Sequence, residues 1–375
     1  MMRTLTQCSG LATVLLTLAV SSVICADEPA AWKTEAAAKY LDGRANEWFA
    51  FPSANRGGGA TQSSCVSCHT LFPYALARPV LRKSIGATSP TELEQKIRAQ
   101  TATRVEGWAQ LDTAKFGLFY EFNDTKKKES WGTEAVLNAL ILAFDDRSQG
   151  RTTPSDVTKR AFANLWQAQA QAGDQKGSWD WLDFNLEPLE SKEARYVGAA
   201  LAAVAVGTAP GLSATAINAA PDANVALLRG YLKGGAAARP LHSRLWALWA
   251  SVKLDGVLTK DEQKTIIAAL LEKQQADGGW RLSSLGPYVR SDNTTQDVKS
   301  DGYATGLVVH VVLTAGVPKT DANVSKGLAW LRANQAATGG WRGVSVNKNR
   351  NPATHVGKFM SDAATAFAIL ALSHE

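Results

Sequence analysis

Three stretches of this chain share one pattern: a glutamine, a short gap, a glycine, one further residue and a tryptophan. They read QAGDQKGSW over 171–179, QADGGW over 275–280 and QAATGGW over 335–341. Each follows a helix-like run, over 165–171, 265–275 and 324–335, and precedes a second helix rich in Ala, Leu and Val. Glycine just past a helix end is a stop signal. The tryptophan is then expected to fold back over that helix end and seal it from water. Recurrence of one supersecondary unit along the chain is the signature of a repeat architecture.

The second helices can be laid in register. They begin at Glu134, Glu193, Asp301 and Asp362, and His69 and His242 fit the same slot. Successive positions are 65, 59, 49, 59 and 61 residues apart. Six two-helix units close an (α/α)6 toroid, with one helix of each pair inside and one outside. Segments 199–206 and 307–313 are apolar on nearly every face, which suits an inner ring wrapped by an outer one. Strands would need period-2 alternation, which these segments lack. The sequence therefore predicts an all-α fold, one domain of six helical-hairpin repeats over 27–375.

The Q…G-x-W repeats resemble those of the terpenoid cyclase and protein prenyltransferase superfamily, including squalene–hopene cyclases. The resemblance covers 130–375 by repeat signature, and the rest through the six-unit register. It speaks for the fold more than for an activity. Residues 65–82 (CVSCHTLFPYALARPVLR) also look like segments of exported bacterial proteins that join a c-type haem motif to such a toroid.

Cys65-Val66-Ser67-Cys68-His69 has the C-x-x-C-H form of a c-type haem attachment site. On a helix, positions i, i+3 and i+4 share one face. Both thiols could then add to the porphyrin vinyl groups while His69 reaches the iron. One covalently bound c-type haem is expected, attached within about residues 50–85, with His69 as proximal ligand. Met360 stands just before inner helix 6, next to helix 1 in a closed ring, and is the first candidate for the sixth ligand. His242 and His355 are alternatives, and an open position is another. A Cys65–Cys68 disulfide competes with haem. A zinc site would need more thiolates or clustered histidines than the chain offers. His310 reads as a core histidine and His374 as part of a frayed end.

Residues 1–26 read as a cleaved secretory signal, with Arg3, an apolar run over 11–20 and a small residue, Ala26, before the cut. Bulky Ile24 disfavours lipid attachment at Cys25. No later stretch has the roughly 20 apolar residues of a membrane span, so the expected location is periplasmic or secreted. Without the signal, Cys65 and Cys68 are the remaining cysteines. The formal charge of +6 is spread along the chain. Lys126, Lys127 and Lys128 read as a solvated loop, with no support for nucleic acid.

His69, Glu134, Glu193, His242, Asp301 and Asp362 are expected to ring one mouth of a central cavity. Acids at helix starts are ordinary caps, and Ser130, Ser191, Ser300 and Ser361 beside them fit that reading. Three functions remain open. The first is a haem protein in electron transfer or haem-dependent oxidation, with a periplasmic redox partner. The second, a cyclase or isomerase, has no D-x-D-D motif to rest on, which leaves Asp301 or Glu193 as candidate general acids for a hydrophobic substrate. The third is glycan binding or cleavage at 178–190 (SWDWLDFNLEPLE), which reads equally as a loop that packs its aromatics and solvates its acids.

Overall fold

The computed structural model describes residues 31–56, 62–108, 123–211 and 222–374. The expected signal segment, 1–26, lies outside them. Twelve α-helices occur among the described residues, alternating between two layers. The inner layer holds α2 (Leu71–Ser84), α4 (Asp124–Ser148), α6 (Ala194–Thr208), α8 (Leu241–Lys253), α10 (Gly302–Thr314) and α12 (Phe359–Leu372). The outer layer holds α1 (Thr34–Phe49), α3 (Glu92–Gly107), α5 (Asp156–Ala168), α7 (Asp222–Gly235), α9 (Lys260–Glu272) and α11 (Ala322–Ala333). Each inner helix packs on the next, and α12 packs back on α2, so the ring closes. The fold is the expected (α/α)6 toroid, with every inner helix starting from the same end.

The sequence pattern explains the layers. Helices α6, α10 and α12 are buried along almost their whole length. The outer α5 buries one face, through Ala161, Phe162, Leu165 and Trp166. Capping boxes start α3 at Thr91 and α9 at Thr259, and Ser155 caps α5, satisfying N–H groups that a helix start leaves free.

The repeat motif is a clamp between units. Gly177, Gly278 and Gly339 have φ of +94°, +89° and +93°, a backbone that favours glycine. A Cβ there would lie 2.2 Å from the Leu227 carbonyl oxygen, 3.0 Å from that of Lys326 and 2.1 Å from that of Ala36. The next outer helix thus runs against the glycine. Two residues on, the indole N–H of Trp179, Trp280 or Trp341 donates to the carbonyl of Leu165, Leu270 or Leu331, each at 2.7 Å. This is the expected seal on the preceding helix. The clamping glutamines are Gln169, Gln274 and Gln335, whose amides donate to the motif's own glycine and to Asn224, Asn323 and Lys33 in the next unit. Gln171 and Gln275, which open the pattern in sequence, only reach back to Gln169 and Lys273.

Two expectations of register need correction. Glu134 lies well inside α4, which starts ten residues earlier at Asp124 under an Asn123 cap. The C-x-x-C-H motif is also not helical. A short antiparallel pair, β1 (Asn55–Arg56) and β2 (Ser63–Ser64), leads into it. Ser67 has φ of +39°, and its hydroxyl accepts from the N–H groups of Thr70 and Leu71 at 2.9 and 3.1 Å. That arrangement starts α2 at Leu71, so the motif is a turn in front of the helix.

Part of the bore is filled. Trp246 from α8, Tyr303 from α10 and Phe367 from α12 are fully buried. Phe367 meets Trp246 at 5.6 Å and Tyr303 at 5.8 Å between ring centroids, in edge-to-face geometry. At this level aromatic rings occupy the space expected as a cavity.

Candidate functional site

The site lies at the mouth where the inner helices begin, on the seam between the last unit and the first. The His69 ring stacks on Phe359 at 3.8 Å and meets Trp48 edge-on at 5.2 Å. Its Nδ1 is 2.9 Å from the Thr70 hydroxyl, and that hydroxyl lies 2.8 Å from Asp362 Oδ2. Arg44 of α1 grips the same carboxylate, Nε to Oδ1 at 2.6 Å and Nη2 to Oδ2 at 2.9 Å.

The proton directions follow from the donor inventory. A carboxylate paired with arginine only accepts, so Thr70 gives its one hydroxyl proton to Asp362. Its oxygen is then left to accept from His69 Nδ1–H. The imidazole is therefore the Nδ1–H tautomer, with its lone pair on Nε2. Nε2 has no hydrogen-bond partner among the described residues. Burial, reinforced by Arg44, pushes the His69 pKa down to about 3, so the ring is neutral. Burial pushes Asp362 up to about 6, opposed by Arg44 and Thr70. It is still a carboxylate at neutral pH.

Cys65 and Cys68 are free thiols, the first half-buried and the second buried. Burial raises both pKa values, so both are protonated. The Cys65 carbonyl accepts from the Trp48 indole at 2.7 Å, and its side chain stands near the Arg104–Glu134 ion pair. Cys68 faces the carboxyl of Glu190, which burial pushes up to about 7.

Of the sixth-ligand candidates, His355 is the one brought to His69. It shares Phe359 and Trp48 with it, at 5.1 and 6.2 Å. Its Nδ1 sits 3.3 Å from Arg44 and 3.4 Å from Glu47, and its Nε2 is buried without a partner. Met360 follows Phe359 in α12 and packs, partly buried, against the core. His242 is engaged elsewhere. Its Nε2 takes hydrogen bonds from Tyr303 at 2.9 Å and Trp246 at 3.3 Å. His310 and His374 pair with each other at 3.0 Å, far along α10 from its mouth end.

The ringed acids divide. Asp301 is a cap, accepting from the N–H groups of Tyr303, Ala304 and Leu282. Glu134, Glu193 and Asp362 instead pair Arg104, Arg239 and Arg44, each from another element. Glu193 also accepts from Ser243 of α8 at 2.6 Å. Of the four serines, Ser191 caps α6 through the Ala194 N–H at 3.2 Å. Ser130 donates to the Lys126 carbonyl and Ser300 to Asp277.

The loop over 178–190 gives a mixed outcome. Trp179 and Trp181 are buried, as a packing loop requires. Its acids Glu187 and Glu190, however, turn inward, and burial raises both. Asn347 donates to the Glu187 carbonyl, tying this loop to the last unit across the mouth. Arg44 and Thr70 are the site residues that sequence reading does not pick out, whereas Glu190 belongs to the 178–190 segment that it singles out. No cluster of three or more metal-ligating side chains occurs among the described residues. No helix among them is long and apolar enough to cross a membrane.

No family model and no curated relative matches the sequence. Solved structures of similar shape include the apo type II terpene cyclase MstE from Scytonema, 11% identical, covering 91% of this chain and 98% of that one with a TM-score of 0.45. Another is the GH76A alpha-1,6-mannanase from Salegentibacter sp. HEL1_6, 10% identical, covering 91% and 99% with a TM-score of 0.46. Likeness at this level brings no activity and no substrate to this chain. The toroid rests on its own closed ring of helices.

Proposed function

We propose that this chain is an exported c-type haem protein on an α/α toroid, acting in electron transfer or haem-dependent oxidation. One observation carries the reading: beside two free thiols, the adjacent His69 is held neutral with its Nε2 lone pair unshared. His69 is half-buried against Phe359 and Trp48, and its Nε2, with no partner among the described residues, is a nitrogen donor free to take a metal. Iron is the partner that the C-x-x-C-H spacing implies. Cys65 and Cys68 would hold the group as thioethers and His69 would be its proximal ligand. Bound there, a haem supplies one-electron or small-ligand chemistry. His355, rather than His242, stands where a further side chain can meet the same group.

The test is a visible spectrum of the full chain, expressed with a c-type maturation system and then denatured. Haem retained by the wild type and lost from Cys65→Ala/Cys68→Ala supports the reading; no retained haem overturns it.

A second reading is favoured by Glu190. With a pKa pushed to about 7, it is partly protonated at neutral pH, as a general acid must be. Asp301 and Glu193 have no comparable freedom, since one caps a helix and the other is paired. Under this reading the toroid acts on a hydrophobic or glycan substrate. Product formed by haem-free protein, and lost in Glu190→Gln, would favour it over the first.

A further inference from the structure

Proteins that ligate metals through histidine commonly tie the second ring nitrogen to an acceptor, and the strength of that acceptor sets how strongly the first nitrogen donates. Here the acceptor is assembled from three separate places in the chain. Thr70 follows His69, Asp362 lies 292 residues further on in α12, and Arg44 comes from α1. The Thr70 hydroxyl and the Asp362 carboxylate are both buried, so water does not compete for the His69 proton from that side.

We infer that Asp362, acting through Thr70, is a positioning residue for His69, and that closing the ring between its last and first units sets the redox potential of the group His69 ligates. The inference rests on the haem reading above. The direction follows from charge. An anionic acceptor reached through one hydroxyl draws the Nδ1 proton outward and makes Nε2 the stronger donor. A stronger donor favours the oxidised iron and lowers the potential. Asp362 and Arg44 thus form a structural latch whose state is felt at the ligand. His355 touches the same Arg44 through Nδ1, so the latch lies between both histidines of the seam.

Thr70→Val removes the hydroxyl, keeps the branched shape and leaves the Arg44–Asp362 pair intact. Thr70→Ser keeps the hydroxyl. Both are made in the full holoprotein, and redox titration is compared with haem retention after denaturation. The midpoint potential is expected to rise in Thr70→Val and to stay near wild type in Thr70→Ser. An unchanged potential in Thr70→Val, with covalent haem retained, overturns the inference and leaves the haem reading standing. Absence of haem from the wild type overturns both. Should Thr70→Val fail to fold, the tautomer is read directly by nitrogen NMR of His69 in the full chain expressed without haem. The Nδ1–H form is expected; an Nε2–H form overturns the inference.

Discussion

His242 sits in the bore as an acceptor for Tyr303 and Trp246, with no charged partner in reach. Burial lowers its pKa from 6.5 to about 3. In an unfolded chain the same ring takes a proton near its ordinary value, so unfolding binds a proton between about pH 6.5 and 3. Stability from this residue is therefore complete above 6.5 and falls with pH below it, by about 1.4 kcal/mol per unit once well into the window. In urea titrations between pH 7.5 and 4.5, His242→Gln, which keeps an acceptor, should change the slope of stability against pH by about one proton relative to wild type. An unchanged slope in the variant means that His242 does not carry the effect. His69 and the cysteines were legible because their spacing is local. The link from Thr70 through Asp362 to Arg44 was not, because Asp362 lies 292 residues from the one and 318 from the other, and each is an ordinary residue type in its own setting.

At the scale of the element, tryptophan and glycine in the repeat have separable jobs. Trp280→Phe keeps a ring in the seal but removes the indole donor from the Leu270 carbonyl, which still accepts from the Lys273 N–H at 3.1 Å, at a cost of about 0.5–1.5 kcal/mol. Trp280→Ala also empties the space, for about 3–5 kcal/mol. Urea unfolding of the two variants measures both. A phenylalanine variant as stable as wild type would mean that the seal is packing alone. The two-helix unit was readable because this clamp needs fixed residue types at fixed spacing. The start of α4 was not. Its first turns hold Asp124, Lys126, Lys127, Lys128 and Glu129, so the continuous apolar run begins only at Ala135. Charge there reads as loop although an Asn123 cap and tertiary packing make it helix. The glutamines failed for a related reason: two stand close together in each of the first two motifs, and only tertiary contact separates the clamp from its neighbour.

A ring of six units must bring its ends together, and no repeat pattern states how. The sequence gives the number of units, while the closing contacts join residues at opposite ends of the chain. Gln335 reaches Lys33, Gly339 lies against Ala36, and Arg44 holds Asp362. The last of these is the sharpest to test, because both partners are buried. Arg44→Ala leaves a buried carboxylate without its cation, a loss of about 3–5 kcal/mol for a charged group so stranded. The carboxyl can escape by taking a proton, and burial has already raised its pKa to about 6 with the arginine present. Without Arg44 the pKa rises further. A folded-state pKa above the unfolded value of 3.8 means that the folded form is favoured by protonation and loses ground as pH rises. The deficit of Arg44→Ala relative to wild type should therefore be smaller at pH 5 than at pH 8, when the two proteins are unfolded in urea at each pH. Hydrogen exchange should show the added opening in α1 and α12, the helices that meet at the seam, before it reaches α6 on the far side. A deficit independent of pH, or opening spread evenly around the ring, would mean that Asp362 is not the charge that closes it.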